Sequence, residues 1–190
     1  GGVPVCFPQF NQRGPQAERL PKHGFARNLP WQADAPVLTH DGAQLCLHLQ
    51  DNARTRAWWS QAFALQLHIT LRPGALRIGL KVHNTDIQPL AFSGALHTYL
   101  AVDDIDLTEL RGMGGCTEWD AVADVHGVAD EILYVEGEFD RVYDAPEKPL
   151  YVQDGSGTLQ VEQSPSWGQS VVWNPGESKC ATLGDMPADG

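Results

Sequence analysis

From Phe63 to Leu71 every odd position is apolar, while the even positions read Ala64, Gln66, His68 and Thr70. Only an extended chain with two unlike faces satisfies that alternation. After Arg72-Pro73-Gly74 it resumes, with Leu76, Ile78, Leu80 and Val82 on one face. Two alternating runs around a Pro-Gly turn predict a β-hairpin, whose register the apolar face fixes. Leu45, Leu47 and Leu49 alternate likewise, as do Leu159 and Val161, and further strands are predicted over 91–102, 131–136, 149–153 and 170–173. No long stretch keeps apolar residues at helical spacing, and 13 prolines with 19 glycines interrupt the chain. Many short strands separated by Gly/Pro turns predict an all-β fold, an antiparallel β-sandwich. No fixed repeat supports a propeller or solenoid. No Ser-, Gly- or Pro-rich linker divides the chain, so residues 1–190 are expected to form a single domain.

The chain has 190 residues, 42% of them hydrophobic and 19% charged, which is enough apolar material for one sizeable core. That balance argues against a disordered tail or a low-complexity linker. No apolar run approaches the ~20 residues of a membrane helix, and no basic-then-apolar leader opens the chain. A soluble cytoplasmic monomer with no membrane partner is expected. The net charge of −11 argues against nucleic acid as a partner. The charge is uneven, however. Residues 1–33 carry Arg13, Arg19, Lys22 and Arg27 against Glu18 alone, a basic end on an acidic protein that suits a small anion site. Cys6, Cys46, Cys116 and Cys180 lie far apart with no CxxC pair, so reduced thiols are expected rather than a disulfide scaffold or zinc ribbon. The Gly1-Gly2 start and the Asp189-Gly190 end suggest a segment of a longer protein.

Several residue groups are candidates for chemistry. Lys22, His23 and Arg27 fall within six residues, and Arg13 could fold back beside them. Arg offers a planar fork and Lys a point charge to phosphate oxygens, although a solvated basic loop accounts for the same spacing. His97, in Ala95-Leu96-His97-Thr98-Tyr99, is embedded in an apolar run, where its ring either finds partners as a core residue or acts as an acid or base. Asp140 and Arg141 are adjacent and would face opposite sides of a strand, with a surface ion or turn residue as the alternative reading. His48, His68 and His83 fall on the polar phase of their strands, and no HxH or HExxH occurs, so no metal site is predicted. Arg111-Gly-Met-Gly-Gly115 lacks dinucleotide-binding spacing, and Asp103-Asp104-Ile105-Asp106 lacks the glycine of a calcium loop.

Four segments occur in order: Gly1-Gly-Val-Pro-Val-Cys-Phe-Pro-Gln-Phe10 with Pro21-Lys-His-Gly-Phe-Ala-Arg27; Ala95-Leu-His-Thr-Tyr99; Phe139-Asp-Arg-Val-Tyr143; and Val171-Val-Trp-Asn-Pro175 followed by Lys179 and Asp185-Met186. Together they closely resemble the hexose-6-phosphate mutarotases (glucose-6-phosphate 1-epimerases) of the aldose 1-epimerase superfamily. The resemblance implies a β supersandwich with strands missing at both ends of this chain. It also implies general acid/base exchange of sugar anomers without cofactor or metal. It assigns Arg13, Lys22 and Arg27 to phosphate binding, His23 to the site lining, His97 to catalysis and Asp140 to contact with the sugar. Where the family commonly has Tyr-x-Asp-Lys, this chain has Glu118-Trp119-Asp120-Ala121, so Asp120 receives no role. The family's catalytic glutamate is expected beyond Gly190. A non-catalytic sugar-phosphate binding module and a mutarotase for unphosphorylated aldoses stay open as alternatives.

Overall fold

The computed structural model describes residues 2–13 and 18–183, which fall into two units, Gly1–Leu100 and Ala101–Gly190. The strands of the first unit are β1 (Val5–Cys6), β2 (Gln32–Ala33), β3 (Val37–Thr39), β4 (Gly42–Gln50), β5 (Phe63–Arg72), β6 (Ala75–Asn84) and β7 (Ala95–Leu96), with a single turn-and-a-half helix α1 (Ala53–Trp58) between β4 and β5. β5 and β6 are the anticipated hairpin, paired from Phe63 opposite Asn84 to Arg72 opposite Ala75. Pro73 presets the turn and Gly74 takes φ +72° to close it. The sheet continues through β4 to β2, with β3 also paired to β4. Helix α1 starts because Asn52 accepts N–H bonds from Arg54 and Thr55 while the Thr55 hydroxyl accepts from the Asn52 backbone, a reciprocal cap.

The apolar face of β5 is graded. Phe63, Leu65 and Leu67 are buried with Val5, Phe7, Phe25 and Trp59 in one core, each such side chain contributing roughly 1.5–3 kcal/mol of burial. Toward the turn the same face opens, and Leu71 and Leu76 are 55% and 58% exposed. The Phe7 ring sits at the centre, 5.1 Å from Phe63 and 5.5 Å edge-on to Trp59.

The predicted strand over 91–102 is corrected to two residues. Ala95 and Leu96 pair with Cys6 and Val5, and the flanking N–H groups reach out singly: Ser93 to Pro8 O, His97 to Pro4 O and Tyr99 to Gly2 O. The partner segment contains Pro4 and Pro8, which have no N–H to give, so a continuous ladder cannot form on either side of β1.

The second unit holds β8 (Glu109–Arg111), β9 (Thr117–Asp120), β10 (Val125–Val128), β11 (Ile132–Tyr134), β12 (Phe139–Asp144), β13 (Leu150–Asp154), β14 (Gly157–Val161), β15 (Gln169–Asn174) and a five-residue helix α2 (Gly176–Cys180). Two four-stranded antiparallel sheets form, in the orders β10-β9-β12-β15 and β11-β8-β13-β14. Tyr143 and Val172 of one sheet meet Leu110, Leu133 and Leu150 of the other around Met113 and Ala129. Two sheets sharing one apolar layer make a sandwich, the architecture expected from many short strands separated by Gly/Pro turns. In the Asp103–Asp106 run, Asp104 caps a short 3-10 turn at Ile105–Leu107. No described helix is long and apolar enough to cross a membrane.

Candidate active site

The chain enters the site through Phe7-Pro8-Gln9-Phe10. The buried Gln9 amide donates to the carbonyls of Leu20 and Pro21, tying this segment to the one that carries Lys22, His23 and Arg27. Gly24 then passes so close to Phe7 that a Cβ there would lie 2.1 Å from the Phe7 carbonyl oxygen. That oxygen accepts the N–H groups of Phe25 and Ala26 at 3.0 and 3.2 Å. The motif therefore needs glycine at position 24, both for this approach and for φ +70°.

His23, at φ +66°, is held by Asn11 from two sides. Its backbone N–H donates to Asn11 O at 2.9 Å, and its ring Nδ1 accepts the Asn11 N–H at 3.1 Å. Because the donor at Nδ1 is an amide, the ring carries its proton on Nε2. The His23 ring meets the His97 ring edge-on, with centroids 5.7 Å apart, and His97 stacks on Tyr99 at 4.9 Å. Phe10 covers His23 from another side, 5.2 Å away.

Both imidazoles are held below their ordinary pKa of 6.5. His23 falls to about 4, chiefly through burial, with the charges of Arg27 and Lys22 and the neighbouring His97 adding to it. His97 is lowered by burial first, opposed by a bond to its own backbone and reinforced by Arg27 and Lys22. Lys22 and Arg27 thus lie within electrostatic reach of both rings, and Arg27 is steadied by a 3.3 Å bond from Nη2 to the Lys22 carbonyl. Cys6, buried nearby, has its thiol pushed up to about 11 by burial despite Arg27, which leaves it unreactive.

Lys22, His23, Arg27 and His97 therefore come together. Arg13 is placed through its backbone: its carbonyl accepts the Ser93 hydroxyl at 3.2 Å, and Ser93 Oγ in turn accepts the Phe10 N–H at 3.1 Å. Asn11 and Ser93 were not singled out from the sequence. Asn11 had one signal, since Asn tolerates the left-handed backbone that it adopts at φ +56°.

Asp140 belongs to the second unit. It lies on β12 opposite Trp173 of β15, and its carbonyl accepts the Ala121 N–H at 2.8 Å. Strand alternation sends Arg141 to the other face, where it pairs with Glu118 at 3.3 Å and Asp120 at 3.4 Å and caps the Phe139 ring. Asp120 also accepts the Val122 and Ala123 N–H groups, the work of a turn residue. Lys179 pairs with Glu138. Asp185-Met186 lies outside the described residues. Elsewhere in the first unit, Asp34, Cys46 and His48 bring potential metal-ligating atoms together.

Chemically, two imidazoles held below their ordinary pKa, within reach of the Lys22 and Arg27 charges, can exchange a proton with a sugar hydroxyl or ring oxygen while an anionic group is held close by. The described residues can thus supply proton transfer and anion binding in one place.

Known proteins share this framework. A Salmonella typhimurium (strain LT2) protein named "Putative glucose-6-phosphate 1-epimerase" is 34% identical over 198 residues, matching all of this chain and 63% of its own length. An Escherichia coli K12 protein of the same name is also 34% identical, with the same shares. The crystal structure of a "putative mutarotase" from Salmonella typhimurium superposes with a TM-score of 0.89 at 35% identity, over 100% of this chain and 63% of that one. The chain thus spans 63% of the length of these relatives. The family profile described as aldose 1-epimerase matches residues 1–190, from one end of the sequence to the other. On that full-length match, with the fold agreeing, the chain belongs to the aldose 1-epimerase family.

Proposed function

We propose that the protein interconverts the α and β anomers of a hexose 6-phosphate, glucose 6-phosphate being the substrate that the relatives' names suggest. The observation that carries the reading is the His23–His97 ring contact at 5.7 Å beside the segment where Arg27 bonds the Lys22 carbonyl, close enough for both cations to lower the two imidazoles. A cationic pair beside acid/base imidazoles matches a substrate that carries its charge on a phosphate and reacts at a hemiacetal. In this reading the ring oxygen receives a proton from His97 while the C1 hydroxyl gives one to a carboxylate base. The ring opens to the aldehyde, rotates about C1–C2 and closes on the other face. His23, with its proton fixed on Nε2, donates a hydrogen bond to the sugar. Arg27, Lys22 and Arg13 hold the phosphate. Asp140 is assigned to the sugar by its place in the Phe-Asp-Arg-Val-Tyr motif, and the base to the family's glutamate outside residues 1–190.

A phosphate dianion would also offset the positive field that depresses His97, raising its pKa toward the range where an acid works best near neutrality. Phosphorylated substrate would then tune its own catalyst. The test is exchange NMR on the intact protein, with glucose 6-phosphate and glucose compared at equal concentration. Accelerated exchange that favours the phosphorylated sugar supports the reading. Binding of glucose 6-phosphate without acceleration would replace it with a binding module, and equal acceleration of both sugars with a general aldose mutarotase.

A further inference from the structure

β4 alternates Leu45, Leu47 and Leu49 with Cys46, His48 and Gln50. Leu47 and Leu49 pack in the core, so Cys46 and His48 project together from the opposite face. β2 pairs with β4 through Gln32 opposite His48 and Ala33 opposite Leu47. One residue further on, the Asp34 N–H donates to the Cys46 carbonyl at 3.0 Å, which fixes Asp34 beside Cys46. The Asp34 carboxylate reaches back to His48, Oδ2 to Nε2 at 2.8 Å. Sγ, the imidazole nitrogen and the carboxylate oxygen all lie within 4.8 Å of one another.

We propose that Asp34, Cys46 and His48 form a zinc site that fastens the short strand β2 to β4, a site separate from the histidine pair of the proposed reaction. The ligand chemistry selects the metal. One thiolate, one imidazole and one carboxylate suit a borderline-soft ion, whereas Mg²⁺ and Ca²⁺ take oxygen sets. A thiolate and a carboxylate also cancel the two positive charges of Zn²⁺. Zn–S near 2.3 Å and Zn–N or Zn–O near 2.0–2.2 Å imply tetrahedral edges of about 3.4–3.6 Å between donor atoms. The three side chains would turn toward one another on binding, from donor atoms now within 4.8 Å on residues that the β2–β4 register sets side by side. His68, opposite Cys46 in register, lies outside the cluster, and the proposed site takes water as its fourth ligand. On binding, the Cys46 thiol proton leaves to solvent and the His48 proton moves to Nδ1, freeing Nε2 to coordinate. The cysteine is half-buried and the histidine ring 29% exposed, so an ion can enter from solvent.

The site is tested on the untagged, reduced, metal-stripped chain with Co²⁺ as a spectroscopic stand-in for Zn²⁺. The expected result is a thiolate-to-cobalt charge-transfer band that saturates at one equivalent and is bleached by Zn²⁺. Cys46→Ser should abolish the band, and Asp34→Asn and His48→Gln should each weaken binding at least tenfold. A second readout needs no variant: Zn²⁺ should slow alkylation of Cys46, followed by peptide mass, and Mg²⁺ should not. No band, a band that survives in Cys46→Ser, affinity unchanged in both Asp34→Asn and His48→Gln, or alkylation indifferent to Zn²⁺ would each overturn the proposal.

Discussion

Asn11 and His23 hold each other twice, with the His23 N–H on the Asn11 carbonyl at 2.9 Å and the Asn11 N–H on His23 Nδ1 at 3.1 Å. The second bond survives only while Nδ1 is unprotonated, so charging His23 turns an acceptor into a donor facing a donor. The folded His23 pKa of about 4 lies below its ordinary 6.5, and between those values the unfolded chain binds the proton more readily. The contribution of this residue to stability is therefore whole above pH 6.5 and lost as pH falls toward 4. Urea midpoints measured at the two ends of that window should fall on acidification in the wild type, and fall less in His23→Gln. An equal fall in both would mean that the Asn11–His23 pair does not carry the proton linkage.

The β5–β6 hairpin was legible because one face is buried and the alternation has no other explanation. The histidine pair was legible only as two separate motifs. His23 and His97 are 74 positions apart in sequence, and their meeting depends on β1 pairing with β7, a two-residue ladder too short to leave a pattern. Residues 91–102 read as a strand because their composition is apolar. What limits the strand is the pair of prolines in its partner, a non-local fact. The Cys46–His48 pairing sat in the sequence at i, i+2, but Asp34 joins it only through the register of β2 on β4. In the second unit, β8, β9 and β10 are three or four residues long and mixed in polarity, so no period could show.

Removing the proposed acid is the most direct test of the chemistry. His97→Gln keeps a polar side chain of similar reach beside Tyr99 but cannot deliver a proton near neutrality. Anomer exchange of glucose 6-phosphate by the intact protein should drop by about 10²–10⁴-fold in kcat, with KM changed little. A rate within a few-fold of wild type, in a variant with an unchanged circular dichroism spectrum, would remove His97 from the reaction.

Arg27→Ala separates phosphate binding from catalysis. A charge-assisted contact is worth ~1.5–3 kcal/mol, so KM for the phosphorylated sugar should rise about ten- to a hundredfold while that for the free sugar barely moves. The same change removes a positive charge that depresses both histidines. In proton NMR titrations the His23 and His97 midpoints should therefore move upward, only part of the way to 6.5, because burial remains the larger cause. Losses equal on both sugars would count against a phosphate role. Unmoved midpoints would place Arg27 out of reach of the rings.

Gly24 and Gly74 adopt nearly the same backbone, φ +70° and +72°, in different surroundings. A methyl group at Gly74 meets nothing within 4 Å, so Gly74→Ala should cost only the left-handed penalty of ~1–2 kcal/mol. A methyl group at Gly24 lands 2.1 Å from the Phe7 carbonyl oxygen. Relief would require that oxygen to move away from the Phe25 and Ala26 N–H groups it now accepts, in a segment where Phe7 is fully buried. Gly24→Ala should therefore cost more than Gly74→Ala by at least ~2 kcal/mol, as lost hydrogen bonds and displaced packing add to strain. It should also disturb the ring resonances of His23, its neighbour in sequence. Chemical denaturation of the two variants side by side measures the difference. Equal midpoints would mean that the close passage of residue 24 over Phe7 does not hold the histidine segment in place.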